Sequence, residues 1–259
     1  MFVRDSGPET AKQGTVMLLH GWMFGADLNW LTCFGPLIDA GYRVVAMDHR
    51  GHGRGIRTQK PFRLTDCADD CAGLVEQLDL GPVTVVGYSM GGAIAQIFAR
   101  RHPELTHGMV LSATTNQWRE NRRMRIGWRG LRLLEFMLTH SQHRVWASIL
   151  RRNGRAETSE EILDWIISEL ERNDPKAIAE AGREMSRFDS RPWIAEIQAP
   201  VAVIAPKRDQ LVPPSFQRQL AKDIGATLFE VNGDHTVVGM HPDRYLPCCL
   251  LYTSDAADE

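Results

Sequence analysis

The sequence has no apolar run approaching the ~18 residues that a membrane-crossing helix needs. It also has no excess of basic charge. Its 30 Lys and Arg against 32 Asp and Glu give a formal net charge of −2 over 259 residues. The first absence argues against a membrane span, and the second against general nucleic-acid binding, which draws on a basic surplus. Residues 1–8 lack the apolar core of a signal peptide, so a cytoplasmic protein is expected. The five cysteines show no spacing that suits a metal site or a disulfide framework. Cys67 and Cys71, one helical turn apart, read as buried free thiols. Neither a metal nor a cofactor is expected. What is present, 43% hydrophobic and 24% charged residues, is the make-up of a globular chain long enough for one large α/β domain or two small ones.

Apolar runs of strand length recur between helical patterns at 16–19, 43–47, 83–86, 109–111, 201–205 and 227–231. Runs of that kind, apolar on both faces and alternating with helices, imply a mostly parallel sheet covered by helices on each side. A helix is expected over 66–78, capped by Thr65 or Asp66, with acidic Asp69 and Asp70 in its first turn and Gly81-Pro82 beyond its end. Between residues 113 and 200 the alternation stops, and a stretch too long for a plain loop reads as helices only. Within it Met124, Trp128, Leu131, Leu134 and Leu138 fall on one helical face and Arg122, Arg125, Arg129 and Arg132 on the other. From 118 to 155 there are ten Arg and two acids, and from 156 to 198 five bases and eleven acids. The two segments read either as oppositely charged faces packed on each other or as a basic face that docks an acidic partner or an anionic head group.

The stretch Gly87-Tyr88-Ser89-Met90-Gly91-Gly92 sits between a β-branched run and a helix rich in small residues. A serine hydroxyl is a poor nucleophile unless it stands clear of the backbone beside a base and a pair of N–H donors. A sharp strand-to-helix turn presents it that way, and glycines two residues before and two after let strand and helix approach. Ser89 is the candidate nucleophile. Among nine histidines, His235 ends a loop after the last strand candidate, where the base of such a turn is expected. His241 precedes proline and reads as a turn or cap, and His102 ends the helix behind the serine. His49, His52, His140 and His143 have no cooperating pattern and read as surface or satisfied core residues. Asp209 lies just past the end of the 201–206 strand, where α/β sheets gather their sites. The competing strand end, at Thr114-Thr115-Asn116, carries no acid, Asp234 adjoins His235 too closely to turn back on its ring, and Asp189 lies in the helical insertion. The order Ser, Asp, His agrees with the motif. For the two donors that a developing oxyanion needs, Met90 N–H follows the nucleophile, and Trp22 N–H follows His20-Gly21 after the first central strand. Met23, Phe24, Leu211 and Val212, with Trp118 and Trp146, are candidates for an apolar acyl pocket. The Arg50-Gly51-His52-Gly53-Arg54 run has neither a P-loop ending nor a dinucleotide fingerprint, and reads as a structural turn.

His20-Gly21-Trp22, Asp48-His49-Arg50-Gly51-His52-Gly53, the Ser89 stretch, Asp209-Gln210-Leu211-Val212-Pro213 and Gly233-Asp234-His235 resemble the motifs of the α/β-hydrolase superfamily across nearly the whole chain. The resemblance implies an α/β-hydrolase core over 1–113 and 200–248, a helical cap over 114–199, a Ser89/His235/Asp209 triad and a Trp22/Met90 oxyanion hole. It implies a serine hydrolase acting on a small-molecule carboxylic ester. C–C bond hydrolysis and cofactor-free perhydrolase or haloperoxidase chemistry use the same triad. A third reading is a ligand-sensing protein of slow turnover, or one docking an acidic carrier protein at the basic cap helix. The stretch 249–259 resembles a translated transposase sequencing adaptor, as in a metagenomic or draft-assembly gene cut off inside its last helix, and is expected to be non-native.

Overall fold

The computed structural model describes residues 1–119, 126, 128–153 and 159–255. Its one sheet has seven strands: β1 (Val3–Asp5), β2 (Thr15–Leu19), β3 (Arg43–Met47), β4 (Val83–Tyr88), β5 (Thr106–Ser112), β6 (Val201–Pro206) and β7 (Thr227–Val231). Their order across the sheet is β1-β3-β2-β4-β5-β6-β7. β1 pairs antiparallel with β3, Val3 opposite Met47, and the other pairs are parallel. β1, a three-residue edge strand with no apolar run, leaves no strand pattern in the sequence. β7 also departs from the expectation of two buried faces. It is the opposite edge, and within it only Val231 is buried.

The inner strands are buried throughout because helices cover both faces. Successive side chains of a strand point to opposite faces. Met17, Leu19, Val85, Met109 and Val203 therefore pack with α2 (Leu64–Gln77), α3 (Met90–Arg101) and α7 (Pro214–Ile224). Val16, Leu18, Val86, Val110 and Ile204 pack on the other side with α1 (Ala26–Asp39), α8 (Val237–Met240) and α9 (Pro242–Asp255). Helix α2 begins two residues earlier than expected, with Arg63 at its cap and no side-chain capping bond. Thr65 and Asp66 lie inside its first turn. Asp66 and Asp70 instead receive the Arg50 guanidinium, at 2.9 and 2.7 Å, which accounts for the acidic start. Cys67 and Cys71 are buried, and both are free.

Between β5 and β6 the chain inserts α4 (Leu131–Asn153, broken at Ser141), α5 (Glu160–Leu170) and α6 (Pro175–Met185). Ser159 caps α5 through the Ile162 amide, and Asp174 caps α6 through the Ala177 amide, with Pro175 at the first helical position. On α4 Leu131 and Leu138 are buried while Arg132 is exposed, and Arg129 just before the helix is exposed too, as the periodicity predicts. Met124, Arg122 and Arg125 lie outside the described residues. The charge contrast is used by Arg151–Glu160 at 3.6 Å, whereas Arg183–Glu135 at 3.2 Å pairs the two segments in the opposite sense. Both ends of the insertion are stitched to the core. Gln117 bridges Asp189, and the Ser190 hydroxyl donates to Gln96 of α3 at 2.6 Å. Helix α9 runs on to Asp255 and buries Cys249 beside Tyr245 and Leu246. No helix among the described residues is long and apolar enough to cross a membrane.

Candidate active site

The strand order reverses between β2 and β4, and open α/β sheets bind ligands beyond the carboxyl ends of their strands at such a reversal. Ser89 stands there, between β4 and α3, with φ 54° and ψ −114°. A non-glycine residue at positive φ is strained, and the surrounding contacts must hold it. The Ser89 amide donates to the Ser112 carbonyl at 2.9 Å, and the Ser89 carbonyl accepts from the Thr114 hydroxyl at 2.8 Å. The flanking glycines are a steric requirement. A Cβ at Gly87 would lie 2.5 Å from the Gly91 carbonyl oxygen, and one at Gly91 would strike the Leu19 carbonyl.

Three side chains from separate elements form one hydrogen-bonded series. His235 Nε2 is 3.1 Å from Ser89 Oγ, and its Nδ1 is 2.8 Å from Asp209 Oδ2. A carboxylate only accepts, so Nδ1 carries the proton and Nε2 is left free to accept from the serine hydroxyl. Asp209 is fully buried, and its oxygens also accept from the Leu211 and Val212 amides, each at 2.9 Å, and from Gln217 Nε2 at 3.2 Å. These donors hold its negative charge in an apolar setting. Nothing in the sequence pattern points to Gln217, a buried polar residue on α7. Nor does any sequence signal mark Tyr88 beyond its place before the serine. The Tyr88 hydroxyl donates to the His235 carbonyl at 2.7 Å.

The loop carrying Trp22 passes beside the serine. A Cβ at Gly21 would stand 3.4 Å from Ser89 Cβ and 2.9 Å from the Tyr88 ring. His20 is buried behind it. Its Nε2 accepts the His49 amide at 2.9 Å, so Nδ1 carries the proton and donates to the Gly21 carbonyl at 2.8 Å. Burial pushes the His20 pKa down to about 4 and that of His52 to about 3, and holds His49 well below the usual histidine range. His49 and His52 are core residues but not satisfied ones, which corrects the sequence reading. Both ring nitrogens of His49 and Nε2 of His52 lack a hydrogen-bond partner among the described residues. The His20 and His49 rings pack against each other at a tilt of 45°, with centroids 4.3 Å apart. The Asp48–Arg54 stretch is a turn held from inside. Asp48 is buried and accepts the Ala26 and Arg54 amides, both at 2.7 Å.

The candidate pocket residues do not gather in one place. Met23 and Phe24 lean on the inner core of the insertion, which contains buried Trp146 with Leu138, Ile167, Leu170 and Ile178. Trp118 is buried with Met185 in the core of the α3 side, Val212 is buried there too, and Leu211 is 66% exposed. Among the described residues no group of His, Cys, Asp or Glu is placed to hold a metal ion.

The sequence model of the alpha/beta hydrolase fold matches residues 14–239. The chain belongs to the α/β-hydrolase family. It is 27% identical over 222 residues to a pimeloyl-[acyl-carrier protein] methyl ester esterase of Neisseria meningitidis, covering 84% of this chain and 82% of that protein. This α/β hydrolase also shares its fold with a carboxylesterase structure from Nitrososphaera gargenis, at a TM-score of 0.84 and 18% identity over 99% of this chain and 95% of that one. A bromoperoxidase structure from Bacillus anthracis matches at a TM-score of 0.82 and 20% identity, over 96% and 94% of the two chains. At those identities the two structures speak to fold alone.

Proposed function

We propose that this α/β hydrolase is a serine esterase that cleaves small carboxylic esters through an acyl-enzyme. The observation that carries the reading is the Asp209–His235–Ser89 series, with contacts of 2.8 and 3.1 Å. In this mechanism His235 Nε2 takes the Ser89 proton as Oγ attacks the acyl carbonyl, and then returns it to the departing alcohol. Asp209 holds the imidazole in the required tautomer and stabilises its charged form. Met90 N–H, at the start of α3, and Trp22 N–H receive the negative charge that develops on the carbonyl oxygen. Water, activated by the same histidine, then releases the acid. The insertion 114–199 acts as a cap over the acyl side, with Met23 and Phe24 at its boundary.

The test is direct. Ser89→Ala should abolish turnover of p-nitrophenyl butyrate, and a fluorophosphonate probe should label the wild type and not the variant. Retained turnover would refute the assignment. The same protein offered a C–C cleavage substrate, or peroxide with acetate and a halide, separates the esterase reading from chemistries that share the triad.

A narrower reading has its own support, in exposed Arg129 and Arg132 at helical spacing with exposed Leu133 and Phe136 along α4 and its lead-in. Such a face suits an acidic acyl carrier, and the Neisseria relative carries that substrate in its name. Turnover of a carrier-bound methyl ester that falls steeply with salt, while free-ester turnover does not, would favour it.

A further inference from the structure

The turn between α5 and α6 is bonded to the core at three consecutive residues. The Arg172 carbonyl accepts from Arg57, and the Asp174 amide donates to the Gly51 carbonyl at 2.9 Å. Between them the buried Asn173 side chain makes two bonds. Its Oδ1 accepts the Gly53 amide at 2.8 Å, and its Nδ2 donates to the Met23 carbonyl at 2.6 Å. One partner is a donor and the other an acceptor, so only this orientation of the amide satisfies both. Met23 follows Trp22 directly and has φ 71°, a conformation that a methionine holds only when its surroundings impose it.

Trp22 is gripped from the same side. Its indole N–H donates to the Ile178 carbonyl of α6 at 2.8 Å, and its ring lies so close to Gly182 that a Cβ there would stand 2.8 Å from it. The peptide N–H of Trp22 is therefore held by two anchors, its own indole and the next residue's carbonyl, and both anchors are fixed by the insertion. We propose that Asn173 is a positioning residue that sets the Trp22 N–H against Ser89 by holding the Met23 carbonyl. This rests on the reading of Trp22 N–H as an oxyanion donor. The insertion then does more than cover the site, because half of the oxyanion-binding pair depends on its docking.

The experiment compares wild type, Asn173→Ala and Asn173→Asp on p-nitrophenyl butyrate, with benzeneboronic acid as a probe that forms a tetrahedral adduct on the serine. Arg183→Gln, which removes an ion pair inside the insertion, controls for general loosening. Asn173→Ala should lower kcat by about 10- to 100-fold, the range for a displaced oxyanion donor. KM should stay within about threefold, and the boronic acid should weaken by the same factor as kcat. Arg183→Gln should leave kcat unchanged. Asn173→Asp can still accept from Gly53, but its carboxylate cannot donate to Met23, so its kcat should fall at least as far as that of Asn173→Ala. A kcat within twofold of wild type for Asn173→Ala or for Asn173→Asp, or a loss confined to KM, would each overturn the proposal. A wild type that neither turns over esters nor takes the fluorophosphonate label on Ser89 would instead remove the esterase reading beneath it.

Discussion

The hydroxyl of Tyr88 donates to the main-chain carbonyl of His235 at 2.7 Å, so the residue before the serine anchors the loop that carries its histidine. The ring of Tyr88 lies against Gly21 on one side and 5.2 Å from the imidazole on the other. Strand alternation accounts for the placement. Tyr88 ends β4 pointing into the layer that holds α1 and α8, while Ser89 leaves the sheet at its carboxyl edge. Tyr88→Phe keeps the packing and removes only the donor. Stability should drop by about 1–3 kcal/mol in urea denaturation, the usual cost of a buried acceptor left unpaired. Steady-state kinetics should show kcat down by about tenfold, with KM nearly constant, as His235 loses its fixed position.

Asp209→Asn should be far more damaging than its isosteric size suggests. The amide oxygen can still accept from Leu211 and Val212, but an NH2 group would then face both His235 Nδ1 and the Gln217 donor. The imidazole is driven to the tautomer with its proton on Nε2, where it cannot accept from Ser89. A fall in kcat of roughly 10³- to 10⁴-fold is expected. Activity within tenfold of wild type would count against the assigned roles.

Gly91→Ala tests the strand-turn-helix junction as a steric object. Its Cβ would meet the Leu19 carbonyl oxygen, a backbone atom of the central strand that cannot rotate away. Helix propensity alone would make the change favourable. The outcome expected is the opposite, a loss of about 3 kcal/mol or more from overpacking a rigid core, read as a lowered urea midpoint. An unchanged midpoint would mean that β2 and α3 are farther apart than described.

The histidine cluster beneath the Trp22 loop predicts acid sensitivity. His20, His49 and His52 have folded pKa values depressed by burial, to about 4 for His20 and about 3 for His52. Above the unfolded value of about 6.5 both states are neutral and nothing is gained or lost. Below it the unfolded chain takes up protons that the folded one refuses, so stability falls as pH drops from about 6.5 toward 4, by up to ~1.4 kcal/mol per pH unit for each histidine. His49→Leu forfeits no side-chain hydrogen bond and should flatten that slope by about one proton. Thermal melts from about pH 7 to about pH 4.5 would read it, and an unaltered slope would show that His49 is not a source.

Much of the fold could be read locally. The apolar runs at 16–19, 83–86 and 201–205 became inner strands because burial on both faces leaves no polar positions to obscure the pattern. The edge strands were harder. β1 has no apolar run at all, and β7 carries one but exposes most of it. Helix α2 begins at Leu64 although Thr65 and Asp66 look like caps, and Asp66 and Asp70 pair instead with a distant Arg50. His49 and His52 read as unremarkable, since nothing in single-residue chemistry marks a histidine that will be buried with one or both ring nitrogens unpaired.

By itself, the sequence determined the parts of the site whose geometry is covalent or nearly so. Glycines spaced two on either side of Ser89 dictate a tight turn, an acid past one strand and a histidine past the next supply the remaining groups, and the apolar periodicity sets the layers that aim them. Only the tertiary structure decided which residues hold those groups in place. Tyr88 and His235 are 147 residues apart, and Asn173 and Met23 are 150 apart. A hydrogen bond across such distances depends on the summed path of the chain through several packed layers, and no local periodicity records that path.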